Sequence, residues 1–151
     1  MRITKYAMKM DEDRINCLVK EKSINYDVTL GYIDSPEKAA DLINKVFDAV
    51  NLSEEFFWLI TLNGARKVSG VFEVSHGTIN GAPVHPREIF ARAMLAGAAS
   101  IIVAHNHPSG NTSISEQDRE VSRRLREAGD LLGIRLDDHI IVAGTDYVSA
   151  M

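Results

Sequence analysis

Cysteine is almost missing from this chain of 151 residues, which carries only Cys17. A single thiol forms no intrachain disulfide and supplies no four-thiolate metal site, so any catalytic metal needs histidine and carboxylate ligands. A reducing compartment is the expectation, with Cys17 read as a small apolar side chain rather than a reactive thiol. Long apolar runs are also missing. The best of them, AMLAGAASIIVA, has 12 residues, against the roughly 20 that a membrane-spanning helix requires. The opening MRITKYAMKMDEDR contains no apolar signal core, so the expected location is cytoplasmic, with no membrane partner. Nor is there an excess of basic charge. With 17 Lys plus Arg against 21 Asp plus Glu the formal charge is −4, which gives no general attraction to nucleic acid and leaves DNA only a local patch.

What is present reads as one ordinary globular domain: 45% of residues are apolar and 25% charged, close to the average for folded proteins. Residues 1–35 carry six basic and six acidic side chains, whereas 36–151 carry 11 against 15. The first stretch is read as an amino-terminal arm or edge-strand extension, with VTLGYI as its strand, and the second as the core domain. No internal repeat interrupts it.

Within the core, Ser35-Pro36 announces a helix whose Leu42, Ile43, Val46, Phe47 and Val50 share a face. FFWLITL and VSGVFEVSH, joined by NGARK, read as antiparallel neighbours. After a turn at Asn80-Gly81, residues 87–97 read as a second helix leading into the buried strand SIIVA, a βαβ-like passage. Ser115 caps a third helix with Val121, Leu125, Ala128 and Leu132 on its apolar face, Gly133 ends it, and LDDHIIVA and Tyr147-Val148 supply the last strands. The fold class is therefore α/β, a mixed sheet flanked by helices.

The strongest cluster of chemical groups is His105-x-His107, followed eleven residues later by Asp118. Alternate strand residues project to one side, so both imidazoles can face one ion, and the loop through Gly110 can return Asp118 as an oxygen ligand. Zinc held this way, with water in the fourth position, suits hydrolysis. The residues alone leave a second reading open: His107-Pro108 as a turn, His105 as a strand end, and Ser115-x-x-Asp118 as a capping box. The letters HNH do not make the dispersed metal motif of a nuclease. A hydrolase also needs a base; Glu55 ahead of FFWLITL is the candidate and Glu54 its competitor, each equally readable as a solvated charge.

Taken together, HGTINGAPVHPREIF, AHNHPSG, Ser115-x-x-Asp118 and LDDHIIVAG resemble the RadC family over residues 36–149. That family is similar in fold to the JAMM, or metal-containing MPN, isopeptidases, a layered architecture like that of cytidine deaminases. The resemblance implies Glu55 as base, Ser115 as oxyanion support, and His105, His107 and Asp118 as ligands of Zn²⁺. It implies a zinc-dependent hydrolase of amide, peptide or isopeptide bonds acting on a protein or peptide substrate. The alternatives are a DNA-repair-associated or DNA-processing protein and a noncatalytic MPN-like interaction module. Ile114 stands where the family commonly has proline before the serine. The chain resembles the short, mobile-element-associated branch without a helix-hairpin-helix region.

Outside that set, His76, His85, Arg87 and Glu88 read as turn and helix-entry residues. Asp138-His139 reads as a strand-edge pair, with support of a metal ligand as the other possibility. Arg119, Arg123, Arg124 and Arg126 read as the salt-laced surface of a helix rather than a phosphate track.

Overall fold

The structure is a computed structural model, and residues 1–26, 32–77 and 84–151 of it are described. Among the described residues, seven strands, β1 (Arg2–Met10), β2 (Asn16–Asn25), β3 (Glu55–Leu62), β4 (Val68–Gly77), β5 (Ser100–Asn106), β6 (Arg135–Ala143) and β7 (Asp146–Ser149), form one sheet in the order β2-β1-β4-β3-β5-β6-β7. Its helices are α1 (Pro36–Phe47), α2 (Pro86–Leu95) and α3 (Glu116–Leu132).

Each helix starts where a local cap permits it. Ser35 Oγ accepts from the Lys38 amide at 3.3 Å and His85 Nδ1 accepts from the Arg87 amide at 3.1 Å, both followed by proline at the first helical position. Helix α1 stops at Asp48, whose φ of 54° is left-handed. The chain then tightens into one 3₁₀ turn, Ala49–Asn51. That turn moves Val50 off the apolar stripe expected for it: Val50 is 41% exposed and Ala49 is buried instead.

The central strands β3 and β5 are buried on both faces. On β3, Trp58, Ile60 and Leu62 pack with Leu42 and Ile43 of α1, while Phe57 and Leu59 pack with α2 and α3. The same alternation on β5 sends Ile102 and Ala104 toward α1 and Ile101 and Val103 toward the other helices. His105 continues the second series, which puts it on the α3 side.

Strands β3 and β4 are antiparallel neighbours, as expected. The β4-α2-β5 passage is a crossover in which β3 lies between the two strands. The directly paired parallel unit is β5-α3-β6, and it carries the site.

Residues 2–25 of the expected arm form an antiparallel hairpin that extends the sheet at its edge, β1 meeting β4 in parallel at Lys5 and Val71. Ile3 and Tyr26 enter the core, and Tyr6 stacks on Phe72 at 5.9 Å. Most of the expected VTLGYI strand, and the turn at Asn80-Gly81, lie outside the described residues. Tyr32 bridges Lys67, and Ile33 is buried.

The buried face of α3 differs from the one its periodicity suggests. Asp118, Ser122, Leu125 and Gly129 are buried, Val121 and Ala128 flank them, and Leu132 is 46% exposed. Gly129 is on this face because the backbone approaches it: a Cβ there would collide with the Ile134 carbonyl oxygen and lie 3.3 Å from the Phe90 ring. Gly129→Ala is therefore expected to cost about 1–3 kcal/mol through overpacking, read as a lower urea midpoint with unchanged slope.

Candidate metal centre

Strand β5 ends at the site. His105 is 3% exposed. His107 follows one pleat later, its backbone amide donating to the Val142 carbonyl at 2.8 Å so that the β5–β6 pairing runs on past the strand end. The turn through Gly110, with φ of 79° and its amide donating to the His107 carbonyl at 3.0 Å, then reverses the chain toward α3.

Asp118 completes the group and caps the helix at once. Its Oδ2 accepts from the Ser115 amide at 2.9 Å while Ser115 Oγ accepts from the Asp118 amide at 3.0 Å, a reciprocal capping box. Its Oδ1 lies 3.2 Å from His105 Nε2 and its Oδ2 3.6 Å from His107 Nε2. The two readings left open by the residues alone thus describe one arrangement: the cap holds the carboxylate where the imidazoles meet it. Burial works to raise the Asp118 pKa, yet the adjoining His105 ring and the hydrogen bond from the Ser115 amide outweigh it and hold the carboxyl well below the usual range.

Glu55 enters from the opposite side. Asn106 sets its position by clamping two strands: its Nδ2 donates to the Glu54 carbonyl at 2.9 Å and its Oδ1 accepts from the Phe56 amide at 2.7 Å. Ligand atoms of Glu55, His105 and His107 all lie within 4.8 Å of one another. Glu54 points elsewhere; it is exposed, with Oε2 3.7 Å from His76 Nε2. A cavity of about 650 Å³ contains Glu55, His105, His107, Ser115 and Asp118 in its wall, along with His139.

The donor set fits a metal ion. A tetrahedral site with bonds of about 2.0–2.1 Å separates its ligands by about 3.3 Å, and the two Nε2 atoms are 3.1 Å apart with the carboxylate oxygens at 3.2 and 3.6 Å. The Nδ1 of His107 faces the Asn111 carbonyl at 2.7 Å. A carbonyl only accepts, so Nδ1 carries the proton and Nε2 offers a lone pair to the cavity.

The Asp138-His139 pair differs from its expected form. Asp138 Oδ1 accepts from the backbone amide of His139 at 2.8 Å and from the Ser149 hydroxyl at 2.6 Å. The His139 ring instead meets His105 Nδ1 at 2.9 Å and Ser122 Oγ at 2.6 Å. Sequence reasoning passed over Ser122 and Asn106. A small buried hydroxyl on the helix face and an amide between two histidines were their only signals.

Burial, and next the neighbouring His105, push the His139 pKa down to about 3. An unfolded histidine titrates near about 6.5. Neutral His139 therefore contributes stability above that value, and the contribution is lost as pH falls toward about 3. Urea midpoints of the metal-free chain are expected to fall more between about pH 7 and pH 5 than those of His139→Leu, which has no such group to protonate.

Other candidates are structural. His85 is the α2 cap, and Arg87 is exposed beside Glu88 at 3.6 Å. Arg123 is held by Glu120 and Glu127 at 2.6 Å each, and Arg119 lies 3.9 Å from Glu116.

A mixed sheet flanked by helices, with two imidazoles and a helix-borne carboxylate converging at the end of a parallel strand pair, defines a domain of the JAB/MPN type. The chain belongs to the family of RadC-like JAB domains, whose profile matches residues 33–151. It is 42% identical over 117 residues to a UPF0758 protein of Desulforudis audaxviator, covering 78% of this chain and 50% of that protein. A UPF0758 protein of Geobacter sulfurreducens is 45% identical over 100 residues, covering 64% and 44% of the two chains. One from Clostridium beijerinckii is 39% identical over 128 residues, covering 85% and 54%. The chain thus spans about half the length of these relatives. Among the described residues, no helix is long and apolar enough to cross a membrane.

Proposed function

We propose that this domain is a zinc-dependent hydrolase of amide, peptide or isopeptide bonds, acting on a peptide or protein in a reducing, cytoplasmic compartment. The observation that carries the reading is the convergence of two imidazoles and a carboxylate at ligand-to-ligand spacing, with a second carboxylate across the same cavity. His105, His107 and Asp118 would hold the ion. When bound, zinc supplies Lewis acidity, lowering the pKa of water and polarising a carbonyl. Glu55 takes a proton from the attacking water and returns it to the departing nitrogen. Ser115 Oγ accepts the Asp118 amide through a lone pair, which leaves its own proton to donate to the oxygen of the tetrahedral intermediate. Capping and oxyanion support are therefore compatible in one orientation.

The DNA-processing alternative draws little support from α3, where Arg119 lies against Glu116 and Arg123 is held between Glu120 and Glu127. A noncatalytic module has no use for Glu55 beside both imidazoles. Zinc-loaded protein, freed of excess metal by gel filtration, is expected to retain stoichiometric zinc by mass spectrometry and to cleave members of an isopeptide and peptide panel. Protein that retains no zinc excludes the mechanism.

A further inference from the structure

We propose that His139, backed by Ser122, is a positioning residue that fixes the tautomer and direction of His105, so that His105 Nε2 turns a lone pair toward the metal position. The inference rests on the metal reading above and adds two residues to it.

Ser122 Oγ has one proton and three polar neighbours: the Asp118 carbonyl at 3.1 Å, the Ala150 carbonyl at 3.3 Å and His139 Nδ1 at 2.6 Å. Carbonyl oxygens only accept. A hydroxyl turned to His139 would leave its lone pairs facing both of them, whereas a hydroxyl turned back to the carbonyl four residues earlier makes the ordinary helical serine bond. In that arrangement Oγ accepts from His139 Nδ1, which therefore carries the ring proton. His139 Nε2 is then a bare acceptor 2.9 Å from His105 Nδ1, so His105 holds its own proton on Nδ1. Its Nε2 is left unprotonated, 3.1 Å from His107 Nε2 and 3.2 Å from Asp118 Oδ1.

Packing fixes the ring plane as hydrogen bonding fixes the proton. His105 lies nearly parallel to Phe57, at 6° and 5.8 Å between centroids, and Phe57 also meets His139 at 5.8 Å. His139 is 1% exposed and Ser122 4%, so water does not compete for either partner. The reverse direction of the same chain would put a proton on His105 Nε2, where a cation must bind; Ser122 and His139 select against it.

Four chains test this: native, His139→Gln, His139→Leu and Ser122→Ala, with folding followed by circular dichroism. Two readouts are used: nitrogen NMR of the His105 ring in metal-free protein, and zinc affinity by competition with a chelating dye. The native chain is expected to show its His105 proton on Nδ1. His139→Leu is expected to lose that preference and to bind zinc about 10–100-fold more weakly, the usual cost of removing a partner behind a ligand. Gln offers an amide oxygen to the same Nδ1 proton, so His139→Gln is expected to recover most of the affinity, and Ser122→Ala to fall between. Native His105 protonated on Nε2 overturns the proposal, as does undiminished affinity in His139→Leu. So does an equal loss in folded Gln and Leu variants, which would assign the effect to packing. Should His139→Leu not fold, the native tautomer and Ser122→Ala decide. Native protein that binds no zinc yet shows the Nδ1 proton removes the metal reading and keeps the relay; zinc binding with the opposite tautomer does the reverse.

Discussion

His107→Ala is expected to give a folded chain whose zinc affinity has dropped at least about a hundredfold, beyond the roughly 10–100-fold loss for a partner outside the ligand set. Of the three expected ligands, His107 separates folding from binding most cleanly. Its ring is 18% exposed, against 4% for the His105 ring and 11% for the Asp118 side chain. Its backbone anchor, the hydrogen bond from its amide N–H to the Val142 carbonyl, survives truncation. His105→Ala would instead open a hole against Phe57 and His139. Asp118→Ala would remove half of the α3 capping box together with the ligand, at an additional cost of about 0.5–2 kcal/mol. Circular dichroism and a urea midpoint near native, with zinc lost in a dye competition, is the expected pair of results. A folded variant with native affinity would exclude His107 from the ligand set and require another arrangement of donors.

The parts of this fold that were legible in the sequence are those with local causes. Ser35-Pro36 and Ser115 mark helix starts because a cap and its amide lie within three residues. FFWLITL announces a strand because both its faces are apolar and both are covered. The β1–β2 hairpin gave no such signal. It lies at the sheet edge with most of its side chains exposed or half-buried, and charged residues interrupt its alternation. On α3 the apolar period pointed to Val121 and Leu132, but the helix turns Asp118 and Ser122 inward because the site needs them there; polar function displaced the hydrophobic stripe by about one residue. Ser122 and Asn106 gave little local signal, since the partners that tie Ser122 to His139 and Ala150 are 17 and 28 residues away and those of Asn106 are 50 and 52. The five expected site residues fall on three separated stretches, which the fold brings to one cavity; their joint pattern was legible only through resemblance.

Glu55→Gln is expected to keep zinc and lose turnover by about 10²–10⁴-fold, the range for removing a positioned general base. The amide has the same shape and keeps the β3 entry intact, because Asn106 clamps the backbone at Glu54 and Phe56 and not the Glu55 side chain. What the amide cannot do is accept a proton from water at neutral pH. KM is expected to change little, so the loss falls on kcat, as it does when an interaction made only in the transition state is removed. Glu54→Gln is the internal control: that side chain is exposed against His76, and turnover is expected within about twofold of native, as for a surface charge with no part in the chemistry. The decisive comparison is metal content. Glu55 shares its cluster with both imidazoles, so a Gln variant that lost zinc along with activity would make Glu55 a ligand and move the base elsewhere. Retained zinc with abolished turnover, beside an active Glu54→Gln, would assign the proton transfer to Glu55.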